Sequence, residues 1–223
     1  MNDEILEKYS IFKGLTRDAI QQCLGSTACR VEHYEKDAVI FHAMEKVEQI
    51  GIILSGKAEA QKIFPTGSQV DVSVRAAGDM IGPGAAFSKA GRYPCDVVAL
   101  EKTAILFFRK AELLDLMNRE PRILKNFLEQ LATATYVLQQ KLELFSYSGI
   151  AQKAAFSLLM HYRQTGSAAF PIPESVTKWA LMLNVSRPSL HRELKKMEKA
   201  GLIRYAPPEI IILDPQKMEQ TLS

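Results

Sequence analysis

Several things are scarce in this chain, and each scarcity excludes a class. Three cysteines among 223 residues, Cys23, Cys29 and Cys95, make an odd set with no Cys-x-x-Cys pair. That argues against a disulfide framework or a closed zinc site and leaves the thiols as small, buried or half-buried hydrophobes. No apolar run reaches the roughly 18 residues of a membrane helix. The opening, "MNDEILEKYS", is acidic where an export signal is basic and then apolar. A cytoplasmic protein without membrane attachment is expected. The four histidines are scattered, and no Ser-His-Asp order, paired carboxylates, metal motif or phosphate loop stands out. No enzyme, catalytic residue, metal or cofactor is expected.

Net charge is also small, +3 over the chain, but it is unevenly placed. Residues 148–223 hold 10 Lys and Arg against 6 Asp and Glu, while the remainder holds 18 against 19. Within that part, "NVSRPSLHRELKKMEKAGLI" and the following Arg204 set six cations against Glu193 and Glu198 alone. Such a segment is either a solvated helix face or the contact for a polyanion, and it localises any nucleic-acid contact to the C-terminal part.

What is present divides the chain in three. From Cys29 to about Arg109, short apolar runs ("AVIF", "QIGIILSG", "VDVSV", "DVVAL", "AILFF") alternate with turns at Gly56, Gly67, Gly78, Gly82, Gly84 and Gly91. This predicts an antiparallel sandwich or roll, preceded by short helices around Ile11, Phe12, Leu15, Ile20 and Leu24. After Pro121, "PRILKNFLEQLATATYVLQQKLELFSYS" contains no further Gly or Pro and predicts a long helix. Leu124, Leu128, Leu131, Thr135, Leu138, Leu142 and Phe145 follow one another at alternating spacings of four and three. A seam of this kind serves a helix packed on its own domain or a two-stranded contact; its length and regularity favour a parallel homodimer. The domain limits expected are 1–120, 121–147 and 148–223.

The third part carries a helix-turn-helix pattern. Ser175 is placed to cap a first helix made apolar by Trp179, Leu181, Met182 and Leu183, and Ala180 is small enough for close helix approach. Asn184 falls at the turn, where positive φ is usual and Asn is favoured after Gly. Ser186 caps the second helix, with Pro188 in its first turn. Leu190, Leu194 and Met197 form its buried stripe. Ser186, Arg187, Ser189, His191, Arg192, Lys195, Lys196 and Lys199 are left for the opposite face, which suits the major groove of double-stranded DNA. Arg192 can address a guanine edge bidentately, whereas the lysines suit phosphates. "YAPPEIIIL" predicts a turn and a strand.

These residues resemble the recognition segment of the Crp/Fnr family of bacterial transcription regulators, and the resemblance extends over nearly the whole chain. "IFKGLT", "IGIILSGKAEA" and "GDMIG" are similar to the family's opening segment, its Leu-Ser-Gly strand pair and its Gly-Asp-x-x-Gly turn. The resemblance implies an α+β protein: an N-terminal antiparallel β-roll like a cyclic-nucleotide-binding domain, a long dimerisation helix and a C-terminal winged helix-turn-helix. It also implies a homodimer acting with RNA polymerase, with Arg187 and Arg192 at the family's two DNA-contacting arginines. Pro188 stands where a base-reading Glu usually follows the first of them, so the family's usual operator is not implied.

Family members that bind cyclic nucleotides use a Glu after the Gly-Asp-x-x-Gly turn and an Arg-Ser/Thr-Ala segment. Here Pro83 and Tyr93-Pro94-Cys95 occupy those places, and Arg92 is one residue early, which reverses its face in a strand. A buried phosphate without its cation is strongly disfavoured, so an effector other than cyclic AMP is expected. The matching region offers Met80, Ile81, Gly82, Ala85, Ala86, Phe87, Tyr93 and Cys95, with Thr135 expected from the long helix. This set suits a small, weakly polar or aromatic effector, or else a packed core. Cys23 and Cys29 are too few for a four-thiolate iron–sulfur centre. His33 and His42 lack a haem motif, and a redox role for Cys95 is a minor alternative.

Overall fold

Two strands in the middle of the first region, "QIGIILS" and "TAILFFR", are apolar at nearly every position instead of at every second one. The computed structural model shows why. It describes residues 6–63 and 69–222; residues 1–5, which begin the acidic opening, and Gly67 lie outside the described residues. The chain divides into two compact units, Met1–Ala134 and Thr135–Ser223.

In the first unit, short 3-10 turns Leu6–Lys8 and Ser10–Phe12 and helix α1 (Arg17–Gly25) precede eight strands among the described residues. These are β1 (Cys29–Tyr34), β2 (Val39–Phe41), β3 (Gln49–Ser55), β4 (Lys57–Ile63), β5 (Gln69–Ala76), β6 (Met80–Ile81), β7 (Asp96–Ala99) and β8 (Thr103–Arg109). They pair antiparallel in two four-stranded sheets, ordered β1-β8-β3-β6 and β2-β7-β4-β5. Short helix α2 (Pro83–Phe87) follows β6, and α3 (Lys110–Arg119) and α4 (Pro121–Ser146) follow β8. Within the β1-β8-β3-β6 sheet, β3 and β8 are covered on both faces. Ile50, Ile52, Leu106 and Phe108 pack on the N-terminal helices, α3 and the start of α4. Ile53, Ile105 and Phe107 point the other way, into a second core with Phe41, Tyr93, Val97 and Ala99. A strand buried on both sides has no polar face to show, and each such side chain contributes about 1.5–3 kcal/mol. Gly51 is required in that core, because a Cβ there would lie 2.7 Å from Ile105 and 2.8 Å from Ile81.

The start of α4 is tied down by polar contacts as well. The buried Asn126 amide donates to the carbonyls of Ile11 (3.0 Å) and Lys13 (2.9 Å). From α3, Arg119 donates to the hydroxyls of Ser26 and Thr27, both at 2.7 Å. The expected long helix is present as α4, and its seam is turned mostly to the surface. Leu124, Leu128, Thr135, Leu138, Leu142 and Phe145 are exposed, while Leu131 is half-buried against the first unit's core. Ile123, Asn126 and Phe127, on another face, are the buried positions.

The second unit contains α5 (Ile150–Thr165), β9 (Ala169–Pro171), α6 (Val176–Met182), α7 (Arg187–Lys199), β10 (Ile203–Ala206), β11 (Glu209–Ile212) and α8 (Pro215–Glu219). Its sheet is ordered β10-β11-β9 and antiparallel. One core joins Ala154, Leu158 and Leu159 of α5, Trp179 and Ala180 of α6, Leu190, Leu194 and Met197 of α7, and Ile210 and Ile212 of β11. The Trp179 indole donates to the Ser157 hydroxyl at 3.1 Å, so the largest buried ring keeps its polar atom satisfied. No described helix is long and apolar enough to cross a membrane.

Candidate nucleic-acid interface and effector region

The turn between α6 and α7 is set by a few backbone requirements. Ser175 caps α6 by accepting from Lys178 N at 3.1 Å. Past its end, Asn184 has φ +53°, and Val185 N returns to the Ala180 carbonyl at 3.0 Å. That left-handed residue redirects the chain, and Asn adopts it more readily than most non-glycine residues. Ser186 then caps α7, accepting from Ser189 N at 3.3 Å. Pro188 stands in the first turn of α7, where a missing N–H costs little.

Burial divides α7 as its sequence pattern predicts. Leu190, Leu194 and Met197 are buried, and Arg187, His191, Arg192, Lys195, Lys196 and Lys199 are exposed together with Ser186, while Ser189 is half-buried. The two acids of the helix are both committed. Glu193 pairs with Lys196 at 3.0 Å, and Glu198 pairs with Lys195 at 2.8 Å. Arg187 and Lys199 have no ion pair among the described residues. The strongest positive character of the exposed face therefore lies with Arg187, Arg192 and Lys199, with Lys195 and Lys196 held in surface pairs of small energy.

Two features of this surface were not anticipated. Leu181 and Met182, expected to help make α6 apolar, are 69% and 54% exposed; Trp179 and Leu183 alone of that group are buried. Tyr205 of β10 joins the hairpin to α7: its N–H donates to Glu198 at 2.9 Å, Lys195 Nζ lies 5.2 Å from its ring centroid, and the His191 ring meets it edge-on at 5.6 Å. The Lys195 ion pair and the Tyr205 N–H hold the Glu198 carboxyl below the usual glutamate range. Strand β10 is thus attached to the outward face of the helix by side chains that no local pattern connects.

In the first unit, the residues expected near an effector belong to two cores. Met80, Ala86 and Phe87 pack with the first, Phe87 meeting Phe127 edge-on at 5.2 Å. Ile81, Tyr93 and Ala85 pack with the second. Gly82 (φ +82°) caps α2, with Pro83 in its first turn. A Cβ on Gly82 would come within 3.2 Å of the Tyr93 ring. Tyr93 is 4% exposed, stacks on Phe41 with centroids 4.0 Å apart, and donates its hydroxyl to the Gln49 carbonyl at 2.9 Å. Burial pushes its phenol pKa up to about 12, with Glu45 and Glu48 adding to the rise. Cys95 is buried; Cys23 and Cys29 are half-buried, and burial raises both thiols. Thr135 stands on the part of α4 that belongs to the second unit and is exposed.

Arg92 is on the outside. Tyr93, Cys95, Val97 and Ala99 are the buried positions of this segment, while the Arg92 guanidinium donates outward to the Met44 carbonyl at 2.7 Å. The one-residue offset has the consequence that alternation dictates. The buried polar side chains among the described residues are Thr27, Thr103 and Asn126, none of them cationic. His33 and His42 are exposed, and no described group of three His, Cys, Asp or Glu could hold a metal.

Comparison with known proteins agrees with this geometry. Residues 31–120 match the cyclic nucleotide-binding domain family, and residues 152–221 match the Crp-like helix-turn-helix domain family. The chain is 22% identical over 210 residues to the cyclic AMP receptor protein of Thermus thermophilus, covering 94% of this chain and 95% of that one. The crystal structure of the catabolite activator protein of Thermus thermophilus superimposes with a TM-score of 0.55 at 22% identity, covering 96% and 98% of the two chains. A CooA variant from Carboxydothermus hydrogenoformans gives 0.55 at 17% identity, covering 87% and 88%.

Proposed function

Because the chain belongs to the Crp/Fnr family of transcription regulators, we propose that it is a homodimer that binds a near-palindromic operator under control of an effector other than cyclic AMP. This reading is carried by the outward face of α7, where Ser186, Arg187, Ser189, His191 and Arg192 surround a capped N-terminus and both helix acids are neutralised by lysines. Residues near the N-terminus of such a helix reach base edges, and the lysines address phosphates. The protein works as a regulator and not as an enzyme, in the cytoplasm and together with RNA polymerase. Residues 1–120 form its sensory domain, 121–147 the dimerisation helix and 148–223 the DNA-binding domain.

Exposure of Leu124, Leu128, Leu138, Leu142 and Phe145 along one helix supports dimerisation through α4, since a long apolar seam seeks a partner. For the effector, the outward turn of Arg92 and the buried, aromatic-stacked Tyr93 argue against a cyclic nucleotide. Met80, Ile81, Gly82, Ala85, Phe87, Tyr93 and Cys95 are the residues around which a small, weakly polar or aromatic ligand would be held. Selection from random double-stranded DNA with the full-length protein tests the central claim. The expected product is a two-fold sequence with half-sites about one helical turn apart. Recovery of unrelated sequences, bound with equal affinity, would overturn it.

A further inference from the structure

Among the described residues, Arg192 has no carboxylate to hold it. Glu193 and Glu198, the two acids of α7, are taken by Lys196 and Lys195. Its partner among the described residues is Ser189, whose Oγ receives Arg192 Nη2 at 3.4 Å. Ser189 is in turn held by Ser186, with the two hydroxyl oxygens 2.8 Å apart and Ser189 N donating to Ser186 Oγ at 3.3 Å. The sequence enforces this arrangement. A capping hydroxyl accepts from the second or third residue of its helix, and here the second is Pro188, which has no N–H. The cap is therefore directed to Ser189, one turn before Arg192.

Resting on the operator-binding reading above, we propose that Ser189 is a positioning residue for base recognition, linking the helix cap at Ser186 to the guanidinium of Arg192. Whichever serine hydroxyl donates to the other, Ser189 keeps a lone pair for Arg192. A guanidinium has five N–H donors, so one bond to Ser189 leaves an edge free for a bidentate contact with a base. A long side chain restrained before binding loses less freedom when it binds, and its direction selects one base pair.

The alternative is that Ser189 contacts a phosphate directly, and the two roles have different signatures. Ser189→Ala keeps the backbone N–H that Ser186 caps, so helix capping is preserved. With full-length protein and the selected operator, Ser189→Ala is expected to reduce the base preference at the position lost in Arg192→Ala by about 3- to 10-fold. Affinity for random DNA and the salt dependence should be unchanged, and Ser189→Thr should restore the preference. In an Arg192→Ala background, Ser189→Ala should add nothing. Equal weakening on operator and random DNA with a shallower salt dependence would assign Ser189 to a phosphate and overturn the proposal, as would an unchanged base profile. If the unsubstituted protein shows no base preference, it is the operator reading that fails, and the link from Ser189 falls with it.

Discussion

Arg192 and Lys196 lie four residues apart on α7, and their different partners give them different expected roles. Among the described residues Arg192 is bonded to a hydroxyl and can turn a planar fork toward a base, whereas Lys196 is a point charge shared with Glu193 at 3.0 Å. Arg192→Ala should weaken operator binding by about 1–3 kcal/mol and relax preference at one base pair per half-site. Lys196→Ala should weaken every sequence alike and flatten the salt slope by about one unit. Titrations of both variants against operator and random DNA at several salt concentrations check this. Identical profiles for the two variants would remove the assignment. The helix geometry behind this assignment was legible because it depends on nearest neighbours in sequence: the Ser186 cap, positive φ at Asn184 and the Leu190-Leu194-Met197 stripe are local consequences of local residues. The exposure of Leu181 and Met182 was not legible. Apolar character alone does not say which side of a seven-residue helix meets the core.

Among the elements, β3 and β8 were recognisable as strands from their apolar content, but their burial on both faces depends on the N-terminal helices and on the second sheet. Helix α3 was missed as a separate element. It begins directly after β8, and no Gly or Pro between them marks the change from strand to helix. The attachment of β10 to α7 was equally invisible, because Glu198 and Tyr205 are joined only once the hairpin folds back. That attachment is pH-sensitive in a definite direction. A carboxyl whose folded pKa is depressed stabilises the fold above its unfolded value, near 4.3, and loses that contribution as pH falls through the folded value. The Tyr205 amide resonance should therefore titrate below the ordinary glutamate range, and Glu198→Gln should abolish the transition. A midpoint at or above that range would contradict the contact. Helix α4 provides the other element-scale test. Leu138 and Leu142 are 58% and 63% exposed, so replacing both by Lys leaves the protein's own cores intact while placing like charges in the proposed seam. Analytical ultracentrifugation should show monomers, and operator binding should be lost. An unchanged dimer would place the self-association elsewhere.

For the whole molecule, likeness of fold and identity of ligand rest on different numbers of residues. The architecture is held by dozens of buried side chains distributed over three cores, and so it persists in proteins that share about a fifth of their residues with this one. A bound nucleotide is held by a few groups, above all a cation against its phosphate. Where the resemblance would place those groups, this chain has Pro83 in the first turn of α2, a buried Tyr93 bonded to Gln49, and Arg92 bonded outward to Met44. A phosphate buried behind Tyr93 would meet no cation there, since the buried polar side chains among the described residues are Thr27, Thr103 and Asn126. A ligand present at 100 times its dissociation constant adds about 2.7 kcal/mol to stability. In a chain of this size that corresponds to roughly 5–10 °C in melting temperature. Cyclic AMP and cyclic GMP at millimolar concentration should produce no such shift and no change in operator affinity. A small apolar or aromatic molecule that does shift the transition should shift it less in Tyr93→Phe, measured against that variant's own baseline, if the hydroxyl leaves Gln49 to meet the ligand. A rise of several degrees with cyclic AMP would mean that the roll can open at Tyr93 and supply a cation from outside, and the argument from Arg92 would fall.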